Sequence, residues 1–164
     1  VDAYDGLIDA SKIDRAFLIR IAILAVTTYI IFGQIMIPVA LSGHSMEPTY
    51  RDGGWNFCLR IGRFFKKPEK GDVVCIRWAS RKRMLLKRIV AVEGQTVEFR
   101  NGALFVDGMR VNEPYAPYPC DWNLAPRIVD PGFVYVLGDN RSVPMEDHVF
   151  GQAPVNRIEG TPLW

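Results

Sequence analysis

Val97-Glu98-Phe99-Arg100-Asn101-Gly102-Ala103-Leu104-Phe105-Val106 is the stretch that decides the class of this fold. Two short runs rich in apolar and aromatic residues flank Asn101-Gly102. That dipeptide supplies the two left-handed residues that a tight antiparallel turn demands. The stretch predicts a β-hairpin with strands Thr96–Arg100 and Ala103–Val106. The same pattern recurs on both sides. Residues 56–61, 72–78, 85–93 and 134–137 are short and rich in β-branched or aromatic side chains. Turn signals separate them at Glu93-Gly94, Asp107-Gly108, Pro131-Gly132 and Gly138-Asp139. Short strands with tight turns predict a mainly β body, a compact antiparallel β-barrel-like domain. Residues 115–126, rich in proline and aromatics, read as an irregular loop.

Upstream of this body, residues 17–41 are the most distinctive compositional block. Residues 21–39 carry no charge, and Gln34 is the only strongly polar residue among them. At about 1.5 Å per residue, such a run crosses a hydrocarbon core of about 30 Å. A helix apolar on every side does not suit the core of a small domain. The run is also longer than the apolar region of a cleavable secretory signal. Pro38 is expected to end or bend the helix. The chain thus divides into a short N-terminal segment (1–16), one transmembrane helix (17–41) and a β-rich body (42–164). Lys12, Arg15 and Arg20 precede the uncharged stretch 21–39, and the next basic residue after it is Arg51. The positive-inside rule then places the N-terminus in the cytoplasm and the body outside.

A formal net charge of +2 over 164 residues is too small to point to nucleic acid. Arg77, Arg81, Lys82, Arg83, Lys87 and Arg88 do cluster, but without aromatic interleaving they read as a solvated loop. Cys58, Cys75 and Cys120 show no CxxC spacing, and His44 and His148 are the only histidines. That inventory predicts no metal centre and no cofactor. Three cysteines permit at most one internal disulfide, and the sequence leaves its pairing open.

Three segments could carry chemistry. Ser42-Gly43-His44-Ser45-Met46-Glu47-Pro48-Thr49 follows the apolar run and sets Ser45 among turn-forming residues, where a hydroxyl can be exposed. His44 is a poor base for Ser45, because adjacent residues point different ways; spacing alone does not dismiss His148. Met84-Leu85-Leu86-Lys87-Arg88-Ile89-Val90-Ala91-Val92 reads as a strand with a lysine in its apolar interior. Alternation turns Lys87 and Arg88 to opposite faces. Desolvation lowers the proton affinity of a lysine, and a neutral amine can act as a general base near neutral pH. A lysine that reaches out from a sheet edge is the plainer reading of the same pattern. Gly138-Asp139-Asn140-Arg141, after the strand at 134–137, reads as a turn holding a salt bridge.

Together these segments resemble the type I signal peptidases, a family of Ser–Lys dyad serine proteases. The SGHSMEPT segment looks like the motif bearing their nucleophile, and Lys87-Arg88-Ile89-Val90 like the motif bearing their general base. Gly71-Asp72-Val73-Val74 resembles the strand motif between them. Gly138-Asp139-Asn140-Arg141 and Phe150-Gly151 resemble the last motif in order and spacing. The resemblance spans residues 21–164. It implies a mainly antiparallel β body and removal of signal peptides from exported preproteins after small residues, in an Ala-X-Ala context. It implies that Ser45 attacks the carbonyl carbon, that Lys87 takes the serine proton and later helps activate the deacylating water, and that the Ser45 N–H donates to the oxyanion. Gly43 stands where some relatives add a serine hydroxyl. The last motif departs from the family pattern. Pro144 replaces the serine that commonly bonds the lysine, Glu146 holds the acidic position, and His148 holds the final basic one. Ser142 or a backbone carbonyl is then expected to orient Lys87. Asp139 with Arg88, and Glu146 with His148, are expected ion pairs, and Arg141 is expected to support the site.

The implied partners are signal-peptide-bearing preproteins, membrane lipid and a nearby export translocon, with no nucleic acid. The implied location is the cytoplasmic membrane, crossed once, with the catalytic domain on the outer side. Conjugation-system and mitochondrial inner-membrane peptidases share these motifs. A self-cleaving repressor would need a DNA-binding unit where this chain has its apolar run. A catalytically silent membrane-tethered binding module is the reading from another class. The short segment between Lys87 and Gly138 leaves little room for the extra β domain of larger relatives.

Overall fold

The computed structural model describes residues 14–60, 67–77, 84–147 and 151–164. Asp14 caps helix α1 (Arg15–Ile30), its carboxylate accepting the Phe17 N–H at 2.7 Å. The helix continues through a π-helical turn, Ile31–Ile35, which completes 21 residues long and apolar enough to cross a membrane. No α1 residue is buried against the body.

The apolar run does not remain helical to residue 41. Strand β1 (Met36–Ala40) begins directly after Ile35 and pairs antiparallel with β2 (Trp55–Leu59), placing Pro38 opposite Phe57. Pro38 is accommodated because β1 is the edge of its sheet, where a missing N–H leaves no ladder bond unmade. Aromatic rings cover the junction: Phe57 lies 6.3 Å from Phe32 and 5.9 Å from Trp164 between ring centroids.

The body contains β3 (Val73–Arg77), β4 (Met84–Val92), β5 (Thr96–Arg100), β6 (Ala103–Val106) and β7 (Met109–Arg110). β8 (Leu124–Ile128), β9 (Phe133–Leu137), β10 (Gly151–Pro154) and β11 (Ile158–Pro162) follow. Seven strands form one sheet in the order β1-β2-β11-β3-β4-β9-β10, and four form another in the order β7-β6-β5-β8. Every pairing is antiparallel. The mainly β expectation holds, but neither sheet closes into a barrel. The edge strands β1 and β10 carry Pro38 and Pro154, which cannot donate to a further ladder. The four-stranded sheet is drawn from residues 96–128, within the segment between Lys87 and Gly138.

The β5–β6 hairpin forms on the predicted register, Arg100 opposite Ala103. Asn101 and Gly102 adopt φ of 47° and 77°. Glycine is required at 102 on a second ground, because a Cβ there would collide with the Cys120 carbonyl. β8 begins inside the segment expected to be an irregular loop, and it tolerates Pro126 because it too is an edge. The main core joins the two sheets. Val90, Tyr135 and Leu137 of the larger sheet meet Val97, Phe99 and Leu104 of the smaller one.

Leu104 is 1% exposed in that core. Leu104→Ala is expected to destabilise the full chain by about 2–5 kcal/mol. Denaturant titration in detergent measures it, and a change under about 1 kcal/mol would contradict a tightly packed contact between the sheets.

Candidate active site

Ser45 lies on the excursion between β1 and β2. The Leu41 N–H donates to the Gly54 carbonyl (2.8 Å) and the Gly53 N–H to the Leu41 carbonyl (3.1 Å), which closes the neck of this loop. Gly43 turns it with φ of 95°, a conformation that side chains disfavour, and its N–H donates to Asp52 Oδ1 at 2.7 Å. That bond holds the Asp52 carboxyl below its ordinary pKa. His44–Met46 form a single 3₁₀ turn. Met46 is buried with Val39, Cys58, Cys75 and Leu86, which ties the turn to the sheet. Asn140 ties it from above: its backbone N–H donates to the Ser45 carbonyl (3.0 Å) and its Nδ2 to the His44 carbonyl (3.1 Å).

Lys87 sits in the middle of β4, opposite Val74 of β3, and is 2% exposed. Its Nζ donates to Ser45 Oγ at 2.9 Å. Burial depresses its pKa from the ordinary 10.5 to about 8, and the charge of Asp139 opposes the shift without overcoming it. Arg88 takes the other face of the strand, as alternation requires. Its Nε donates to Asp139 Oδ1 (2.8 Å), its Nη2 to Asp139 Oδ2 (2.6 Å) and its Nη1 to the Gly71 carbonyl (2.8 Å). The guanidinium lies 4.1 Å from the Tyr115 ring centroid. Asp139 Oδ2 also accepts the Thr49 hydroxyl at 2.6 Å, which couples the carboxylate to the Ser45 loop.

The structure brings Ser45, Lys87, Gly43, Arg88 and Asp139 into one neighbourhood and leaves the other expected groups at its margin. Arg141 is 3% exposed and donates to Glu113 and the Gly138 carbonyl. The Ser142 hydroxyl donates to Asn140 Oδ1 at 2.6 Å and not to Lys87. Among the described residues no backbone carbonyl takes its place, and Ser45 is the hydrogen-bond partner of Lys87 Nζ. Glu146 is exposed, on the 3₁₀ turn Met145–Asp147. His148, its expected partner, lies outside the described residues. His44 is exposed, and its Nδ1 lies 3.1 Å from Glu47 Oε1, an interaction that raises the imidazole pKa. The chemistry available is that of a hydroxyl beside a buried amine that is readily neutralised.

Sequence reasoning missed Asn140, Thr49, Glu113 and Tyr115. Asn140 and Thr49 lie inside the motifs already singled out, where an asparagine in a turn and a threonine after proline are candidate backbone or carboxylate partners. Glu113 and Tyr115 lie in a proline-rich stretch with no periodic signal.

Protonated Lys87 is penalised in the fold, so its folded pKa lies below its unfolded one. The penalty is full below about pH 8 and is relieved as pH rises toward 10.5. Lys87→Met is therefore expected to lack a gain of up to about 3 kcal/mol that the wild type shows across that window. Denaturant titrations of both proteins at the two ends of the window measure the difference; identical pH dependence would rule out a depressed amine.

Residues 14–163 match the family model described as signal peptidase, peptidase S26. The chain is 33% identical over 157 residues to thylakoidal processing peptidase 1, chloroplastic, of Arabidopsis thaliana, covering 88% of this chain and 46% of that relative. It thus spans less than half the length of that protein. It is 31% identical over 135 residues to a probable signal peptidase I-1 of Synechocystis, covering 77% of this chain and 69% of the relative. Against signal peptidase IB of Staphylococcus aureus it is 30% identical over 162 residues, covering 88% of this chain and 84% of the relative. Since the family match takes in both the Ser45 loop and the strand of Lys87, this chain belongs to the signal peptidase family, peptidase S26.

Proposed function

We propose that this chain is a membrane-anchored signal peptidase I that removes signal peptides from exported preproteins after small residues. The observation that carries the proposal is Lys87 Nζ, buried and 2.9 Å from Ser45 Oγ. Neutral Lys87 accepts the hydroxyl proton as Ser45 Oγ bonds to the scissile carbonyl carbon. The C–N bond then breaks, and the ammonium of Lys87 gives its proton to the leaving amine. Water, deprotonated by Lys87, attacks the resulting ester and frees Ser45. The Ser45 N–H is the proposed oxyanion donor, with Gly43 giving the loop its turn rather than a side-chain donor. Arg88, Asp139 and Thr49 position β4 and the Ser45 loop; Arg141, Ser142 and Asn140 brace the adjoining turn.

A cavity of about 40 Å³ beside Ser45, lined by Leu41, Met46, Tyr50, Met84 and Leu86, supports selection of small residues. A side chain of about methyl size fits within it. Helix α1 is the proposed anchor, and Arg15 and Arg20 at its start support a cytoplasmic N-terminus with the body on the outer side of the cytoplasmic membrane. Preproteins are the proposed substrates, with lipid around α1 and the export translocon as a neighbour.

Ser45→Ala and Lys87→Met are each expected to lower preprotein cleavage in detergent by about 10³-fold or more. Either variant retaining wild-type activity would sink the dyad. The wild-type kcat/KM is expected to fall on the acid side with a midpoint near the Lys87 pKa of about 8. A midpoint near 10.5, the ordinary lysine value, would show an unburied amine instead.

A further inference from the structure

Away from the dyad, Glu159 of β11 is 2% exposed and ion-paired on both sides. Arg60, just beyond β2, reaches it with Nη2 at 3.2 Å from Oε2, and Arg77, the last residue of β3, pairs with Oε1. β11 lies between β2 and β3 in the sheet, so the two arginines flank the carboxylate. These three side chains, with Ile37 and Met84, line a cavity of about 350 Å³. One carboxylate faces two guanidinium groups, which leaves the set at a net charge of +1.

Arg60 Nε is the one buried side-chain polar atom among the described residues with no hydrogen-bond partner. A guanidinium has donors only, and a buried donor without an acceptor is costly. The net positive charge of the paired arginines calls for an anion. Paired arginines suit phosphate oxygens in particular, because the planar fork donates to two of them at once.

The position of the cavity narrows the source of the phosphate. The Arg60 N–H donates to the carbonyl of Ile35 at 2.8 Å, and Ile35 is the last residue of the apolar helix. On the reading of α1 as an anchor, on which this inference rests, that carbonyl marks the level where the chain leaves hydrocarbon. Phospholipid headgroups lie at that level. Ile37 and Met84 supply apolar walls for the glycerol and upper acyl carbons. In sequence, residues 61–66 and 78–83, which follow Arg60 and Arg77, add Arg63, Lys66, Arg81, Lys82 and Arg83 and no acidic residue. They lie outside the described residues and are not part of the site. We propose that the Arg60–Arg77 cavity binds the phosphate of an anionic phospholipid headgroup.

The test uses the full chain. Flotation on phosphatidylcholine vesicles checks the anchor. Short-chain phosphatidylglycerol, short-chain phosphatidylcholine and inorganic phosphate are then titrated onto the detergent-solubilised chain by calorimetry. Phosphatidylglycerol is expected to bind at one site at least about tenfold more tightly than phosphatidylcholine. Arg77→Gln is expected to weaken it about tenfold, and so is Arg60→Lys, which keeps a charge beside Glu159 but loses the fork. Competition by inorganic phosphate supports phosphate as the recognised group. A chain that floats but binds the two lipids equally, or whose variants bind as the wild type does, overturns this inference alone. Saturation by inorganic phosphate with no phosphatidylglycerol binding overturns the lipid as source. A chain that does not float overturns the anchor and the lipid assignment together.

Discussion

Asp139 has no exposed surface, and the arrangement around it depends on keeping a carboxylate in that place. An ionised group there is tolerable only with a counter-charge and filled lone pairs. Arg88 meets it with two hydrogen bonds and Thr49 with a third. These contacts join the turn after β9, the middle of β4 and the Ser45 loop. Because Arg88 is clamped on one face of β4, Lys87 is turned to the other. Asn140, the next residue, secures the backbone of Ser45 from the same turn. One four-residue turn thus fixes the surroundings of both Ser45 and Lys87 without touching either side chain.

The same clamp bears on the protonation of Lys87. A bare carboxylate nearby would hold the amine charged, and Asp139 does pull in that direction. Burial outweighs that pull, and the pKa falls. An amine with few acceptors has less reason to keep its proton, and among the described residues Lys87 Nζ bonds only to Ser45. Its position comes from strand pairing and burial.

The parts of the fold readable in sequence were those fixed by local chemistry. Asn101-Gly102 specified the β5–β6 hairpin to the residue, and β-branched runs located β2, β3, β4 and β9 within a residue or two. β1 and β8 escaped notice because proline argues against a strand, and only the sheet order reveals that both are edges. β1 was hidden further by its apolar composition, which continues that of the helix. Whether seven strands close into a barrel depends on long-range pairing, which no local run encodes. Within the site, the order of the motifs brought Ser45 and Lys87 together on paper. Of the partners that hold their surroundings, Asn140 and Thr49 follow from tertiary contacts across 90 to 96 residues of sequence, and Tyr115 lies in a stretch without pattern.

The passage from helix to sheet has a mechanical consequence. No residue intervenes between the π-helical turn ending at Ile35 and the first residue of β1, and Arg60 bonds back to Ile35 across the join. A globule hung on a loose tether would sample many heights and headings above its membrane. Here the strand is a stiff spacer of five residues, about 17 Å long at strand pitch. On the proposed reading of α1 as an anchor, the reach of the Ser45 loop from the end of the helix depends on how many residues β1 contains. Lengthening that strand would carry the loop farther from the end of the helix, and shortening it would bring the loop nearer.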